Sequence, residues 1–262
     1  MSILQNENRI GNFTSSNAYL LVATDKTGKK FAETTMTYIE ETNIERELGI
    51  SIGNESSARP LEWGKHCEDF AFNEIDTGYT LTADTTIVHP EYDFWSGSPD
   101  GTTDTAVMDL KCPMTRKSFF KLVAGENIYS MVDGFARGGA KYKKHSDGAK
   151  YYWQLVSNAI LTGKKFGELI VYIPYLRDLL DIKNSAKGLY KWIYYAADIE
   201  LPFIHEGGAF KNITVMRFAI PQKDIDLLTE KMVEASHLLI PRKPHIPLVT
   251  QHEPGVITAE KG

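Results

Sequence analysis

The stretch GSPDGTTDTAVMDLKCP, from Gly97 to Pro113, decides how this 262-residue chain is interpreted. It places one acid, Asp100, in a Ser-Pro-Asp-Gly turn and a second acid, Asp109, nine residues later, with Lys111 two positions further on. Proline and glycine fix the backbone of a turn, which leaves the Asp100 carboxylate free to turn back on the next strand. The segment AVMDLKC is predicted to be that strand, a short one that ends at the proline.

Alternation along this strand predicts which side chains lie together. Side chains two apart share a face, so Asp109 and Lys111 point the same way, while Met108 and Leu110 point to the opposite, core face. Two carboxylates and one ammonium group then converge on one side of a sheet. Hard divalent cations such as Mg²⁺ prefer oxygen ligands, and a lysine can hold or help deprotonate an attacking water. The stretch therefore indicates a hydrolytic site for phosphodiesters.

The same residues also allow a structural interpretation, a turn aspartate beside an ion pair at a strand edge. An acid followed two residues later by lysine arises easily by chance, and a second copy occurs at Asp181 and Lys183. That copy lies in LRDLLDIKNS, whose leucine spacing predicts a helix, and no turn acid precedes it. We interpret the second copy as a solvated helix end and leave both interpretations of the first copy open at this point.

Composition indicates a globular protein but assigns no function. Hydrophobic residues make up 42% of the chain and charged residues 24%, which excludes disorder, collagen and coiled coil. A net charge of -5 argues mildly against bulk electrostatic coating of DNA, yet a local basic lining stays compatible with a nucleic-acid enzyme. No apolar run approaches the roughly eighteen residues of a membrane span, and no signal-peptide pattern opens the chain. Cys67 and Cys112 lack metal-site spacing, and free thiols fit a reducing cytoplasm.

Hydrophobic periodicity predicts a mixture of helices and strands. Helices are expected over Thr14–Leu21, Thr34–Leu48, Leu61–Ile75, Thr115–Leu122, Tyr151–Thr162 and Asp224–Leu239. Strands are expected between Gly78 and Pro90, at AVMDLKC, at FGELIVYIPY and at ITVMRFAI, and the lysine-rich GGAKYKKHSDGAK is expected to be an exposed loop. The fold class is therefore α/β (α+β), with a central mixed β-sheet flanked by helices.

The surroundings of the motif resemble a known family. SPDG…DLKCP resembles the PD-(D/E)xK nuclease motif, in the version of the lambda-exonuclease-type (YqaJ-like) viral recombination nucleases. Further blocks follow that family's order: RIGNFTSSNAYL, then TTMTYIEE and RPLEWGKHCEDF, then the motif, then YYWQLVSNAILTG. The likeness covers roughly residues 9 to 175. One departure is Asp109, an aspartate where lambda exonuclease has glutamate, and the motif tolerates this shorter side chain.

The resemblance implies a restriction-endonuclease-like core and one exonuclease domain over residues 1–240. This domain would comprise a helical N-terminal part (1–76), a nuclease core (77–175) and a C-terminal part (176–240). Residues 241–262 are proline-rich without periodicity, so we expect an extended or disordered tail.

The resemblance also implies a role for the motif residues. Asp100 and Asp109 would bind divalent metal, with the main-chain carbonyl of Leu110 as a further ligand, and Lys111 would be the catalytic lysine. The cofactor would be Mg²⁺, for which Mn²⁺ can substitute, in a two-metal site.

Two residues outside the motif would complete the catalytic group. Glu68 would extend the acidic cluster and orient water, although its neighbour Asp69 is an alternative on the same helix. Gln154 would support Lys111 and the nucleophilic water, and its helix places it on one stripe with Tyr151.

The opening block of the family contacts the 5′-phosphate of a DNA end. Here Arg9 would bind that phosphate, because a guanidinium fork matches phosphate geometry, with Thr14 and Ser16 as hydroxyl donors. Helix capping and a solvated arginine are the alternative. Lys65, in the Trp-Gly-Lys block, would be a further DNA-binding residue. The lysines of the loop from Gly138 to Lys150 could line a DNA channel or simply be solvated.

The function implied is a Mg²⁺-dependent 5′-to-3′ exonuclease that degrades one strand of duplex DNA and leaves 3′ overhangs for a single-strand annealing protein. Its partners would be 5′-phosphorylated double-stranded DNA ends, the annealing protein and further copies of the chain in a ring trimer, in the bacterial cytoplasm and without a membrane. The alternatives are a restriction or structure-specific endonuclease and a non-catalytic DNA-end-binding protein. Intact Asp100, Asp109 and Lys111 count against the last.

Overall fold

A computed structural model describes residues 8–52, 58–75, 78–82, 85–123 and 146–242. Within these residues the strands are β1 (Phe13–Thr14), β2 (Thr80–Leu81), β3 (Ile87–Val88), β4 (Trp95–Gly97), β5 (Gly101–Thr102), β6 (Ala106–Lys111), β7 (Phe166–Tyr172) and β8 (Ile213–Ala219). The helices are α1 (Ala18–Leu21), α2 (Glu33–Leu48), α3 (Arg59–Glu74), α4 (Arg116–Val123), α5 (Ser146–Thr162), α6 (Leu179–Ser185), α7 (Lys191–Tyr195) and α8 (Gln222–Ser236).

The strands form a five-stranded sheet of order β2-β5-β6-β7-β8 and a three-stranded sheet of order β1-β4-β3. In the larger sheet β6 and β7 are parallel and the other pairs are antiparallel. A parallel pair needs a crossover connection, and the one between β6 and β7 carries α4 and α5. The mixed sheet flanked by helices confirms the predicted fold class.

Both faces of the central strands are covered, so β6 and β7 are buried throughout most of their length. One face of this pair packs in a cluster with α5, which we call the α5-side cluster and which includes Val107, Leu155, Leu169 and Val171. The other face packs in the α3-side cluster, which includes Trp63, Cys67, Met108, Leu110 and Ile170. Because residues two apart share a face, this pattern confirms that Met108 and Leu110 point away from the side of Asp109.

The predicted C-terminal ends of two helices are confirmed where a glycine follows the helix. Gly49 follows α2 with φ 69°, and Gly163 follows α5 with φ 66°, a left-handed conformation that glycine adopts without a steric penalty. The LRDLLDIKNS segment contains α6, as its leucine spacing predicts. None of the described helices is long and apolar enough to cross a bilayer.

The single strand predicted between Gly78 and Pro90 is wrong. Two short strands occur there, β2 in the larger sheet and β3 in the smaller one. Thr82 lies just after β2, and its main-chain N–H and its hydroxyl donate to the carbonyls of Asp100 and Pro99. The bond from the Thr82 N–H continues the pairing register of β2 with β5, whereas Ile87 and Val88 pair with β4. The segment therefore divides between two sheets, which alternation alone does not predict.

The helix boundaries differ most from the prediction at the starts of two helices. Thr14–Leu21 was expected to be one helix, but Thr14 belongs to β1, which pairs in parallel with β4, and its N–H donates to the hydroxyl of Tyr38. The helix α5 begins at Ser146, so the last residues of the predicted lysine-rich loop are helical. The remainder of that loop, residues 138–145, and the predicted tail beyond residue 242 lie outside the described residues.

Candidate active site

The strand β6 brings Asp109 and Lys111 together at its carboxyl end. Lys111 Nζ lies 2.7 Å from Asp109 Oδ2, and the lysine side chain is 24% exposed whereas the aspartate is 1% exposed. This ion pair agrees with the prediction from alternation that the two side chains lie on the same face of the strand. It places a buried carboxylate directly behind an ammonium group that reaches solvent.

Asp100 reaches β6 from the turn before β5. Its Oδ2 accepts a hydrogen bond of 2.6 Å from the main-chain N–H of Leu110, between the two motif side chains. The turn is held close because β5 pairs with β6, and Gly101 lies opposite Met108. A Cβ on Gly101 would come within 2.6 Å of Met108 Cε and 3.1 Å of the Thr80 carbonyl oxygen. The glycine therefore allows the close approach that aims Asp100 at the strand.

The helix α5 brings Gln154 to the same carboxylate. Gln154 Nε2 donates a 2.6 Å hydrogen bond to Asp109 Oδ1, and the glutamine is 9% exposed. Asp109 therefore has a neutral donor on one oxygen and an ammonium group beside the other. The expected support of Lys111 by Gln154 takes an indirect form here, because the described hydrogen bond goes to the partner of that lysine.

The helix α3 contributes Glu68, and Glu68 and its neighbour Asp69 lie in different surroundings. Glu68 is half-buried and lines a cavity beyond the end of β6, whereas Asp69 is exposed and does not line it. Burial raises the pKa of Glu68; the charge of Lys111 lowers it and the charge of Asp109 raises it further.

This cavity, of about 770 Å³, is bordered by the elements that carry the site and is open to solvent. One wall comes from α3, another from α5, and the floor from the residues that come after β6. The lining includes Ser16, Leu61, Lys65, Glu68, Leu110, Lys111, Cys112, Lys121, Lys150, Tyr151 and Gln154. Asp109 lies behind the exposed part of Lys111 and Gln154 rather than in the lining itself.

The buried acids shift one another's protonation. Burial, and then the charge of Asp109, raise the pKa of Asp100 to about 7. Burial lowers the pKa of Lys111, but the charges of Asp109 and Asp100 outweigh it, so the pKa of Lys111 is raised and the group is a cation at neutral pH. Two carboxylates this close repel one another when both are ionised, and a further cation between them would stabilise the doubly ionised form.

The donor set fits a hard divalent cation. Asp109 Oδ2 is a buried oxygen without a well-directed hydrogen bond among the described residues, although Lys111 lies at ion-pair distance. No group of three or more histidine, cysteine or acidic side chains in the described chain has the spacing of a ready metal cluster. Mg²⁺, however, is usually bound by one or two carboxylates together with waters and substrate phosphates. Asp100 and Asp109 meet that requirement.

The predicted DNA-binding residues divide into two groups. Ser16 and Lys65 line the cavity. Thr14 lies behind Ser16, with their hydroxyl oxygens 3.2 Å apart. Arg9 does not line the cavity, and its guanidinium donates to the hydroxyl of Ser98, two residues before Asp100, at 3.3 Å.

Lys121 and Tyr151 are two functional candidates among the cavity residues that the sequence did not assign to the site. Lys121 comes from α4, a helix that also carries Arg116 and Lys117 near its start, and this basic helix directly after the motif was the available signal. Tyr151 lines the cavity three residues before Gln154, and the helical stripe that the two share was the signal for the tyrosine. Its ring faces Lys111, with the lysine Nζ 5.1 Å from the ring centroid.

A turn acid, a central strand ending in Asp-x-Lys, and a helix that adds glutamine define the class of protein. This is the PD-(D/E)xK core of the restriction-endonuclease-like nuclease fold. Solved structures of exonucleases share the fold. The alkaline exonuclease LHK-Exo from Laribacter hongkongensis matches with a TM-score of 0.51 and 18% identity, over 88% of this chain and 89% of that one.

Two more structures give similar matches. LHK-Exo in complex with dAMP has a TM-score of 0.52 and 18% identity over 89% of this chain and 91% of that one. A phage-related exonuclease from Haemophilus somnus 129PT has a TM-score of 0.53 and 14% identity over 87% and 92%. No curated protein sequence is significantly similar. Residues 6–165 match the YqaJ-like viral recombinase domain, and the chain belongs to that family.

Proposed function

We propose that this protein is a Mg²⁺-dependent exonuclease that degrades one strand of duplex DNA from its 5′ end and leaves 3′ overhangs for single-strand annealing. The observation that carries the proposal is the cavity at the end of β6. There Glu68, Lys111 and Gln154 surround the buried Asp109, in a chain of the YqaJ-like viral recombinase family. The fold shared with exonucleases, one of them bound to dAMP, supports a deoxyribonucleotide substrate.

The roles of the central residues follow from their chemistry. Asp100, Asp109 and the Leu110 carbonyl would hold the divalent cation, with Mn²⁺ able to replace Mg²⁺ and room for two metals. When bound, such cations stabilise charge on the attacking and leaving oxygens of a phosphodiester. Lys111, a cation at neutral pH, would orient the attacking water and neutralise the phosphate, while Glu68 would accept the proton of that water or orient it.

The cavity supports DNA binding despite the negative net charge. Lys65, Lys121 and Lys150 line it, and lysines that neutralise phosphates account for most sequence-independent affinity for DNA. Ser16 would donate its hydroxyl to a 5′-phosphate with Thr14 behind it. Arg9 would join them once it leaves Ser98, to which it bonds in this structure.

The assembly and setting complete the proposal. We propose a homo-oligomer, the ring trimer that the family resemblance implies, that hands its 3′ overhang to an annealing protein in the bacterial cytoplasm. The thiols of Cys67 and Cys112 are free and buried, which suits a reducing compartment.

The test uses three DNA substrates with Mg²⁺ or with EDTA. Linear duplexes with 5′-phosphate ends, linear duplexes with 5′-hydroxyl ends, and closed circles are each incubated with the protein. We expect mononucleotides from the 5′-phosphorylated linear DNA in Mg²⁺, little from the hydroxyl ends, and none from circles or in EDTA. Labelling each strand end separately reports the polarity.

Other outcomes point elsewhere. Cutting of closed circles would replace the exonuclease by an endonuclease. Retention of DNA ends without any Mg²⁺-dependent product would indicate a binding protein instead.

A further inference from the structure

Tyr151 contacts the part of the β6 motif that Gln154 does not. The two residues lie one turn apart on α5, on the same helical face. Gln154 donates to Asp109, whereas the ring of Tyr151 lies under the Lys111 ammonium, 5.1 Å from Nζ to centroid. This separation is within the distance of about 6 Å over which a ring face attracts a cation. One helix face thus holds both the carboxylate and the ammonium group of the motif.

The side chain of Lys111 is flexible, so contacts such as this one are needed to hold its ammonium group in one position. A lysine loses considerable rotamer freedom when its ammonium is fixed, and here the side chain borders an open cavity. The ion pair with Asp109 is one restraint. In the proposed reaction, however, Asp109 would also hold a divalent cation, which would weaken its restraint on the lysine. The ring of Tyr151 contacts Lys111 independently of the carboxylate, so this contact would remain available with a cation bound.

We propose that Tyr151 is a positioning residue for Lys111, and that the face of its ring rather than its hydroxyl performs this role. The proposal rests on the proposed function of the site, since Lys111 must be held near the scissile phosphate. It predicts that a phenylalanine can replace Tyr151 and an aliphatic side chain cannot. Tyr151 also packs against the α5-side cluster, and leucine preserves that apolar contact while removing the ring.

The kinetic test compares Tyr151→Leu with Tyr151→Phe on 5′-phosphorylated linear duplex. We expect Tyr151→Leu to lower kcat by about tenfold, because the free energy of one cation–π contact corresponds to about that factor in rate. The KM for DNA and the melting temperature should stay nearly unchanged. Tyr151→Phe should keep the wild-type rate. The matched control is Tyr194→Leu, which removes the ring beside Lys187 on α7, outside the cavity lining, and should leave the rate unchanged.

A second readout needs neither DNA nor metal. After reductive ¹³C-methylation of lysines, the Lys111 signal is assigned by its loss in Lys111→Arg. We expect it to be shifted upfield by the ring current in the wild type and in Tyr151→Phe. In Tyr151→Leu it should move to the position of ordinary lysines.

Three results would overturn the proposal: an unshifted Lys111 signal in the wild type, a wild-type rate for Tyr151→Leu, or a loss in Tyr151→Phe equal to that in Tyr151→Leu. The last would assign the role to the hydroxyl. If the wild type cleaves no DNA at all, the proposed function fails, and the ¹³C signal alone then decides whether Tyr151 holds Lys111.

Discussion

Asp109 is an acidic side chain with 1% of its surface exposed, and the residues on either side of it in β6, Met108 and Leu110, are apolar. Burying a carboxylate is costly unless it is paired and hydrogen-bonded, and Asp109 obtains both from Lys111 and Gln154. Neither partner seals Asp109 off from solvent completely, because Lys111 and Gln154 both border the cavity. An ion pair that served stability alone would gain nothing from an opening beside it, so the arrangement favours the functional interpretation of the motif.

We predict that Asp109→Asn lowers Mg²⁺-dependent cleavage by more than about a hundredfold, since even indirect supports of a metal ligand are worth about 10- to 100-fold. The substitution keeps the shape of the side chain, so circular dichroism should show an unchanged fold. The control is Asp181→Asn, in the second Asp-x-Lys triplet of the chain, which is exposed on α6 and should retain full activity. Near-wild-type cleavage by Asp109→Asn would refute the metal-ligand role.

At the scale of elements, the sequence predicts the features that depend on local pattern. The strand β6 follows from its alternation, and α2 and α5 follow from periodicity with a terminal glycine. The split between β2 and β3 does not, because it depends on which distant strand each part pairs with: β2 pairs with β5 and β3 with β4, in different sheets. The contact of Tyr151 with Lys111 is of the same kind: spacing places the tyrosine on the right stripe of α5, and only the packing of that helix on β6 shows which group it faces.

The packing of β4 against α5 gives a prediction about Gly97. A Cβ there would lie 2.1 Å from Ser15 Oγ, 2.5 Å from Asn158 Oδ1 and 2.7 Å from Leu161 Cδ1, three buried neighbours at once. We expect Gly97→Ala to lower the free energy of unfolding by about 1–3 kcal/mol through overpacking, as measured by urea denaturation. Gly78→Ala, where a Cβ meets nothing within 4 Å, is the control and should change it little. Equal midpoints for the two variants would contradict this packing of β4 on α5.

At the scale of the whole molecule, the residues beyond the family match complete the larger sheet. The family match ends at residue 165, directly before β7, yet β7 pairs with β6 along the entire motif strand. The helix α8 lies against α5, where Asp224 accepts a hydrogen bond from Tyr152. The residues beyond the family match therefore supply a central strand, an edge strand and a helix that lies against the helix carrying Gln154.

We therefore predict different outcomes for two truncations. A chain ending at Ile220 loses α8 and with it Leu228 and Met232, both fully buried. Burial of these two side chains contributes about 3–6 kcal/mol, and the hydrogen bond of Tyr152 adds to it, so the loss is comparable with the lower part of a typical stability of about 5–15 kcal/mol. Thermal unfolding followed by circular dichroism should then lose its cooperative transition. A chain ending at Arg242 keeps α8 and the bond from Arg242 to Asn12, and should melt as the full chain does. A cooperative transition in the shorter chain would show that the domain ends before α8.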